Sequence, residues 1–126
     1  MNHFLLKTEP DDYSYDDLVK EKETDWTGVA NPQAVKNLAG MKKGDELVIY
    51  HTGKEKRAVG LARVLSTDLS DPKQPRVRIV PLEPIAEPRT LAEMKQQPIF
   101  EDSPLLRQGR LSVVPLTKAQ YDWIAR

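Results

Sequence analysis

The chain has 126 residues, 39% of them hydrophobic and 30% charged, which fits one domain, residues 1–126, with one modest core. Lys+Arg and Asp+Glu both number 19, so the formal net charge is zero. That balance argues against coating nucleic acid by bulk electrostatics, where basic excess supplies the affinity, and leaves open the recognition of a single base in a pocket. No cysteine is present, hence no disulfide framework, no thiol nucleophile and no thiolate metal site. No apolar run is long enough to span a bilayer. The start of the chain lacks the basic lead-in of a signal peptide, and a cytoplasmic location is expected.

Phe4 to Lys7 is a short apolar run stopped by Pro10, the pattern of a buried strand. Ser14 ahead of Tyr15-Asp16-Asp17-Leu18-Val19 marks a helix start, with carboxylates facing the positive end of the helix dipole. Asn31-Pro32 opens a second helix, Asn31 as cap and Pro32 at the first position. Ala34, Val35, Leu38 and Met41 carry its apolar face. After the turn Lys42-Lys43-Gly44-Asp45, Glu46 to His51 reads as a strand. Thr52 to Arg57 is a hairpin loop with Gly53 at its tip. Ala58 to Leu65 is the returning strand, where Gly60 marks a bulge or a close backbone approach.

Asp71 to Pro75 is a loop, and Arg76 to Leu82 alternates charge with bulk as a one-faced strand does. Pro84 and Pro88 make the next connection extended. Thr90-Leu91-Ala92-Glu93 is a capping box opening a short helix that ends before Pro98. Ser103 to Arg107 forms one further helical turn, Arg110 to Leu116 a last strand, and Thr117-Lys118-Ala119-Gln120 a second capping box before a terminal helix. Strands joined by loops and hairpins, with short helices between, predict an α+β domain around a small curled sheet.

Polar groups gather at the ends of these elements. In an extended stretch Lys7 and Glu9 share one face and Thr8 takes the other, while a kink at Pro10 would bring all three near one cavity. A surface ion pair and a ligand-contacting strand end both fit them. Trp26 fits either a core position or a wall on which a base stacks. Asn31 caps a helix, and asparagine also reads base edges. His51, at a strand end after Tyr50, fits an acid–base group, a donor to a ligand or a solvated residue. With no second partner at ligand spacing, no metal site is expected. Arg107, Arg110 and Ser112 flank the last strand, where a phosphate contact or a solvated face fits. No phosphate-cradling glycine loop is present.

The ordered series Phe4-Leu5-Leu6-Lys7-Thr8-Glu9-Pro10, Tyr13-Ser14, Trp26-Thr27-Gly28-Val29, Asn31, Met41-Lys42-Lys43-Gly44-Asp45, Tyr50-His51-Thr52, Val59-Gly60-Leu61-Ala62, Asp71-Pro72 and Arg110 to Thr117 resembles the EVE domain family of the PUA-like superfamily. The resemblance runs from Phe4 to Ile124. It implies a PUA-like, small bent sheet or open barrel of about five or six strands ringed by short helices, similar to the YTH domains that read a methylated adenine in an aromatic pocket. It implies a module that binds DNA or RNA and reads a modified base, methylated or hydroxymethylated cytosine or methylated adenine, flipped against Trp26. In bacteria such domains often accompany defence components. Carried over position by position, the base pocket draws on Lys7, Thr8, Trp26, Val29, Asn31, Tyr50, His51, Arg110, Leu111 and Ser112. Lys36, Lys42, Lys43, Lys54, Lys56, Arg57 and Arg107 are candidate backbone contacts.

The resemblance implies no cofactor, metal or catalytic set. Three positions depart from the family pattern. Ala30 and Val35 stand where arginine is usual, and Phe4 where tryptophan is common. Two alternatives accompany the reader. ASCH domains, more distant PUA-like relatives, include amidohydrolases of acylated cytidines that use a threonine, a lysine and a glutamate. Lys7, Thr8 and Glu9 supply those residue types, with lysine assisting threonine attack and glutamate moving the proton. The other alternative is a protein or small-ligand interaction module, which the zero charge and the two missing arginines favour.

Overall fold

The computed structural model describes residues Met1–Arg126. In chain order the elements are β1 (His3–Thr8), α1 (Tyr15–Glu21), β2 (Thr24–Asp25), α2 (Pro32–Ala39), β3 (Glu46–His51), β4 (Arg57–Asp68), β5 (Arg76–Thr90), α3 (Leu91–Lys95), a 3-10 turn (Pro98–Phe100), α4 (Pro104–Arg107), β6 (Val113–Leu116) and α5 (Lys118–Ala125). The helices start where local chemistry places them. Ser14, Thr90 and Thr117 each close a reciprocal capping box, and Asn31 Oδ1 accepts from the amides of Gln33 and Ala34.

One open, mixed sheet in the order β2-β5-β4-β3-β1-β6 organises the molecule. It confirms the α+β, PUA-like expectation as an open six-stranded sheet, not a closed barrel. β1 runs parallel to β3 and antiparallel to β6, and β3-β4-β5 is an antiparallel meander. The parallel pair needs a crossover, and α1, β2 and α2 supply it. That connection carries Trp26. Phe4, Leu5 and Leu6 are all buried, so both faces of β1 are covered. Register shifts between Ala58 and Gly60, Gly60 and Ala62, and Val64 and Ser66 bend the two longest strands. No helix is long and apolar enough to cross a membrane.

Several boundaries differ from the sequence expectations. β4 runs from Arg57 to Asp68 rather than from Ala58 to Leu65. β5 continues through Pro81, Pro84 and Pro88 to Thr90 instead of ending at Leu82. The reason is that β2 pairs only with Arg78 and Ile79, so the rest of β5 is a sheet edge where a missing N–H costs no ladder bond. β6 begins at Val113, not Arg110. At this other edge Pro115 removes a donor, and the side-chain amide of Asn37 on α2 donates to the Val113 carbonyl at 2.8 Å. Two-residue β2 is too short to leave a periodic signal in the sequence.

Candidate functional site

Strand alternation divides the sequence candidates between the two faces of the sheet. Lys7 lies in register with Tyr50, and Thr8 with His51. On one face the Lys7 ammonium donates to the Gly109 carbonyl at 3.0 Å and stands 5.9 Å from the Tyr50 ring centre. Burial pushes both groups toward their neutral forms, Lys7 downward and Tyr50 upward. The Lys7 amide donates to the Ser112 carbonyl, which ties exposed Arg110, buried Leu111 and Ser112 to this side of β1.

On the other face Thr8 Oγ1 donates to the Tyr13 carbonyl at 2.6 Å. His51 Nε2 accepts the Tyr15 amide at 3.0 Å, so its proton sits on Nδ1 and faces Glu55 Oε1 at 3.1 Å. The imidazole therefore pins the first turn of α1 to β3. Glu9 turns to the β3–β4 hairpin, where its carboxylate accepts from Thr52 Oγ1 at 3.3 Å. Lys7, Thr8 and Glu9 thus point to three separate partners and do not converge on one reacting atom.

Trp26 borders two hollows. Its amide donates to the Val77 carbonyl at 2.8 Å, which fastens it beside β5, and only 7% of the residue is exposed. Gly28, at φ 79°, turns the chain from β2 towards α2. Two adjoining hollows share Asp25, Trp26 and Thr27. The smaller, about 290 Å³, is completed by Thr8, Tyr13, Glu21 and Thr24. Tyr13 meets the Trp26 ring edge-on, with centres 6.2 Å apart and planes at 78°, and its hydroxyl donates to the Glu21 carboxylate. Burial, then Glu21, pushes the Tyr13 hydroxyl up to about 12, so it remains a donor. The larger hollow, about 620 Å³, lies between Gly28, Val29, Ala30, Val35 and Leu38 on one side and Lys73 to Arg76 on the other.

Of the sequence candidates, Thr8 lines the smaller hollow, Val29 the larger, and Trp26 both. Asn31 lines neither hollow and caps α2, its Oδ1 occupied by two backbone amides. Ala30 and Val35, the two departures from the family pattern, both line the larger hollow. None of the cations named as backbone contacts lines either hollow. Lys36 is exposed on α2, and Lys42 and Lys43 lie in the turn before β3. Lys54 and Lys56 lie in the β3–β4 hairpin, while Arg57 pairs with Glu55 and Arg107 with Asp102. Sequence reasoning missed Tyr13, Glu21, Thr24 and Asp25 as recess walls, since they reach Trp26 only through the packing of α1 and β2. No group of side chains suited to a metal ion is formed.

Known proteins share this fold. The EVE domain model matches residues 2–126. Thymocyte nuclear protein 1 of Gallus gallus is 27% identical across 97% of the chain, which spans 66% of that protein's length, just under two thirds. The crystal structure of Atu2648 from Agrobacterium tumefaciens superposes with a TM-score of 0.91 at 31% identity, covering 100% of this chain and 92% of that one. Human THYN1, solved in complex with 5-methylcytosine-containing DNA, gives 0.87 at 26% identity, covering 99% and 96%. The chain belongs to the EVE domain family.

Proposed function

We propose that this chain binds nucleic acid and reads a modified base, which leaves its stack and enters the recess beside Trp26. The observation that carries the reading is the composition of the smaller hollow. An indole and a phenol offer flat apolar surface, while Thr8, Thr24 and Thr27 offer hydroxyls and Glu21 and Asp25 offer carboxylates. Carboxylates accept hydrogen bonds, and at a base edge they suit an exocyclic amino group such as cytosine N4. They repel a carbonyl at the same place. About 290 Å³ is ample for one base, and the Trp26 and Tyr13 rings offer apolar surface to a methyl substituent. The likeness to human THYN1, solved with 5-methylcytosine-containing DNA, supports the same ligand class. The reading commits to an amino-bearing methylated base, 5-methylcytosine first.

Stacking on an aromatic platform contributes about 1–3 kcal/mol, and one buried methyl about 0.8 kcal/mol. The test compares 5-methyl-2′-deoxycytidine, 2′-deoxycytidine and thymidine by calorimetry. Thymidine carries the same methyl group with a carbonyl in place of the amine. The expected order is 5-methyl-2′-deoxycytidine first, deoxycytidine about fourfold weaker, and thymidine weaker by about tenfold or more, because the carboxylates lose their donor. Equal binding of thymidine and 5-methyl-2′-deoxycytidine would overturn the reading.

A further inference from the structure

We propose that Lys73, in the β4–β5 loop, and Arg76, the first residue of β5, hold the phosphodiester backbone of the strand whose base occupies the Trp26 recess. The inference rests on the base reading above and names a contact that it lacks. The larger hollow adjoins the base recess and shares Asp25, Trp26 and Thr27 with it. A strand that delivers a base to Trp26 must therefore pass its sugar and phosphate over one of the adjoining surfaces.

The two walls of that hollow differ in kind. The wall from Gly28 to Leu38 is apolar, and the hairpin wall carries Lys73, Gln74 and Arg76. Asp25, the acidic residue of the hollow, is paired with Arg78 at 2.9 Å, which offsets part of its repulsion of a phosphate. Neither Lys73 nor Arg76 forms an ion pair, whereas Arg57, Arg78, Arg107 and Lys118 all do. Asp68 and Asp71 line a further small hollow together with Arg76. The Asp68 carboxyl is held low first by its hydrogen bonds from Ser70 and lastly by the charge of Arg76, which closes no ion pair with it.

The hairpin tip is also preformed. Asp71 Oδ1 accepts the Lys73 amide at 3.0 Å, and the Asp71 carbonyl accepts the Gln74 amide at 3.1 Å. Pro72 and Pro75 flank this turn and fix the backbone on either side. Little ordering is therefore needed when a phosphate arrives. Lysine supplies a point charge, and arginine a fork that matches two phosphate oxygens. Two contacts on a chain of zero net charge give a shallow salt dependence, in place of the steep one of a basic nucleic-acid coat.

The experiment measures binding of a short single-stranded DNA carrying one 5-methylcytosine, its RNA counterpart, and free 5-methyl-2′-deoxycytidine as salt is varied. Each phosphate contact on a single strand contributes a slope of about −0.7 in log K against log salt. The wild type should show about −1.4 with either oligonucleotide, a loss of about sevenfold between about 50 and 200 mM salt. Lys73→Ala/Arg76→Ala should flatten that slope to near zero, with its melting temperature and its affinity for the free nucleoside unchanged. An unchanged slope in this variant, with the nucleoside still bound, would overturn the phosphate contact and leave the base reading standing. A slope flattened by the variant, with no binding of the free nucleoside to either protein, would leave the phosphate contact standing and overturn the base reading. Absence of binding to all three probes would overturn both.

Discussion

Replacing Gly60 with alanine drives a methyl group into the ring of Tyr15, the residue that seats α1 on the sheet. A Cβ built at Gly60 would lie 2.3 Å from Tyr15 Cε1 and 2.4 Å from Cδ1 and Cζ. Gly60 is not among the left-handed glycines, so the requirement is steric and not conformational. The ring has no easy escape. It is 4% exposed, its hydroxyl donates to the Leu61 carbonyl at 2.8 Å, and the residue's amide is bound to His51. Overpacking of this kind costs about 1–3 kcal/mol, and losing the buried hydroxyl bond about 1 kcal/mol more. The expected loss in urea unfolding is therefore about 2–4 kcal/mol, a large share of the 5–15 kcal/mol typical of a domain. In a Tyr15→Ala background the clash vanishes, and alanine in place of glycine should gain about 0.5–1 kcal/mol. The cycle should then give a coupling of about 2 kcal/mol or more between the two positions. A Gly60→Ala protein within about 0.5 kcal/mol of wild type, or an equal cost in both backgrounds, would refute the reasoning. Tyr13 lies two residues before Tyr15, so a displaced α1 should also weaken binding of 5-methyl-2′-deoxycytidine.

Two further outcomes follow from single side chains. Asn31→Ala removes the cap whose Oδ1 serves two amides of α2, and should cost about 1 kcal/mol in urea unfolding. The Glu55 carboxyl is held below its usual 4.5 first by the His51 hydrogen bond and then by that of Arg57. A carboxylate depressed in the folded state stabilises above its unfolded value and loses that contribution as pH falls through its folded value. Glu55→Gln should therefore lower stability slightly at neutral pH and flatten the loss of stability below 4.5, read as urea midpoints along an acid series. An acid limb identical to wild type would show that the His51–Glu55 pair contributes nothing measurable.

Much of the fold was legible because its signals are local. Ser14, Asn31, Thr90 and Thr117 each mark a helix start through groups within three residues. Glycine at position 60 proved to mark both a bulge and a close approach. What the sequence hid depends on neighbours. Pro84 and Pro88 read as an extended connection beyond the strand, yet an edge strand tolerates them, and edge status belongs to the sheet. The same distinction applies to the site. Thr8, Trp26 and Val29 were recognisable from their own segments. Tyr13, Glu21, Lys73 and Arg76 come from other elements, with nothing local to couple them to Trp26. The role of His51 depends on an amide 36 residues away. The opposite placement of Lys7 and Thr8 was available from strand alternation alone. Alternation prevailed over the expected kink because β1 keeps its register with β3 through Thr8.

The most direct test of the account uses the two tryptophans as paired probes. Trp26 lines the recess, whereas Trp123 packs edge-on against Phe100 with the Arg89 guanidinium over its ring. In a titration of ¹⁵N-labelled protein with 5-methyl-2′-deoxycytidine, the indole signal of Trp26 should move and saturate while that of Trp123 stays in place. The same titration with thymidine should leave both nearly still. A saturating shift at Trp123 with Trp26 unmoved, or no shift at either, would contradict the placement of base recognition at Trp26.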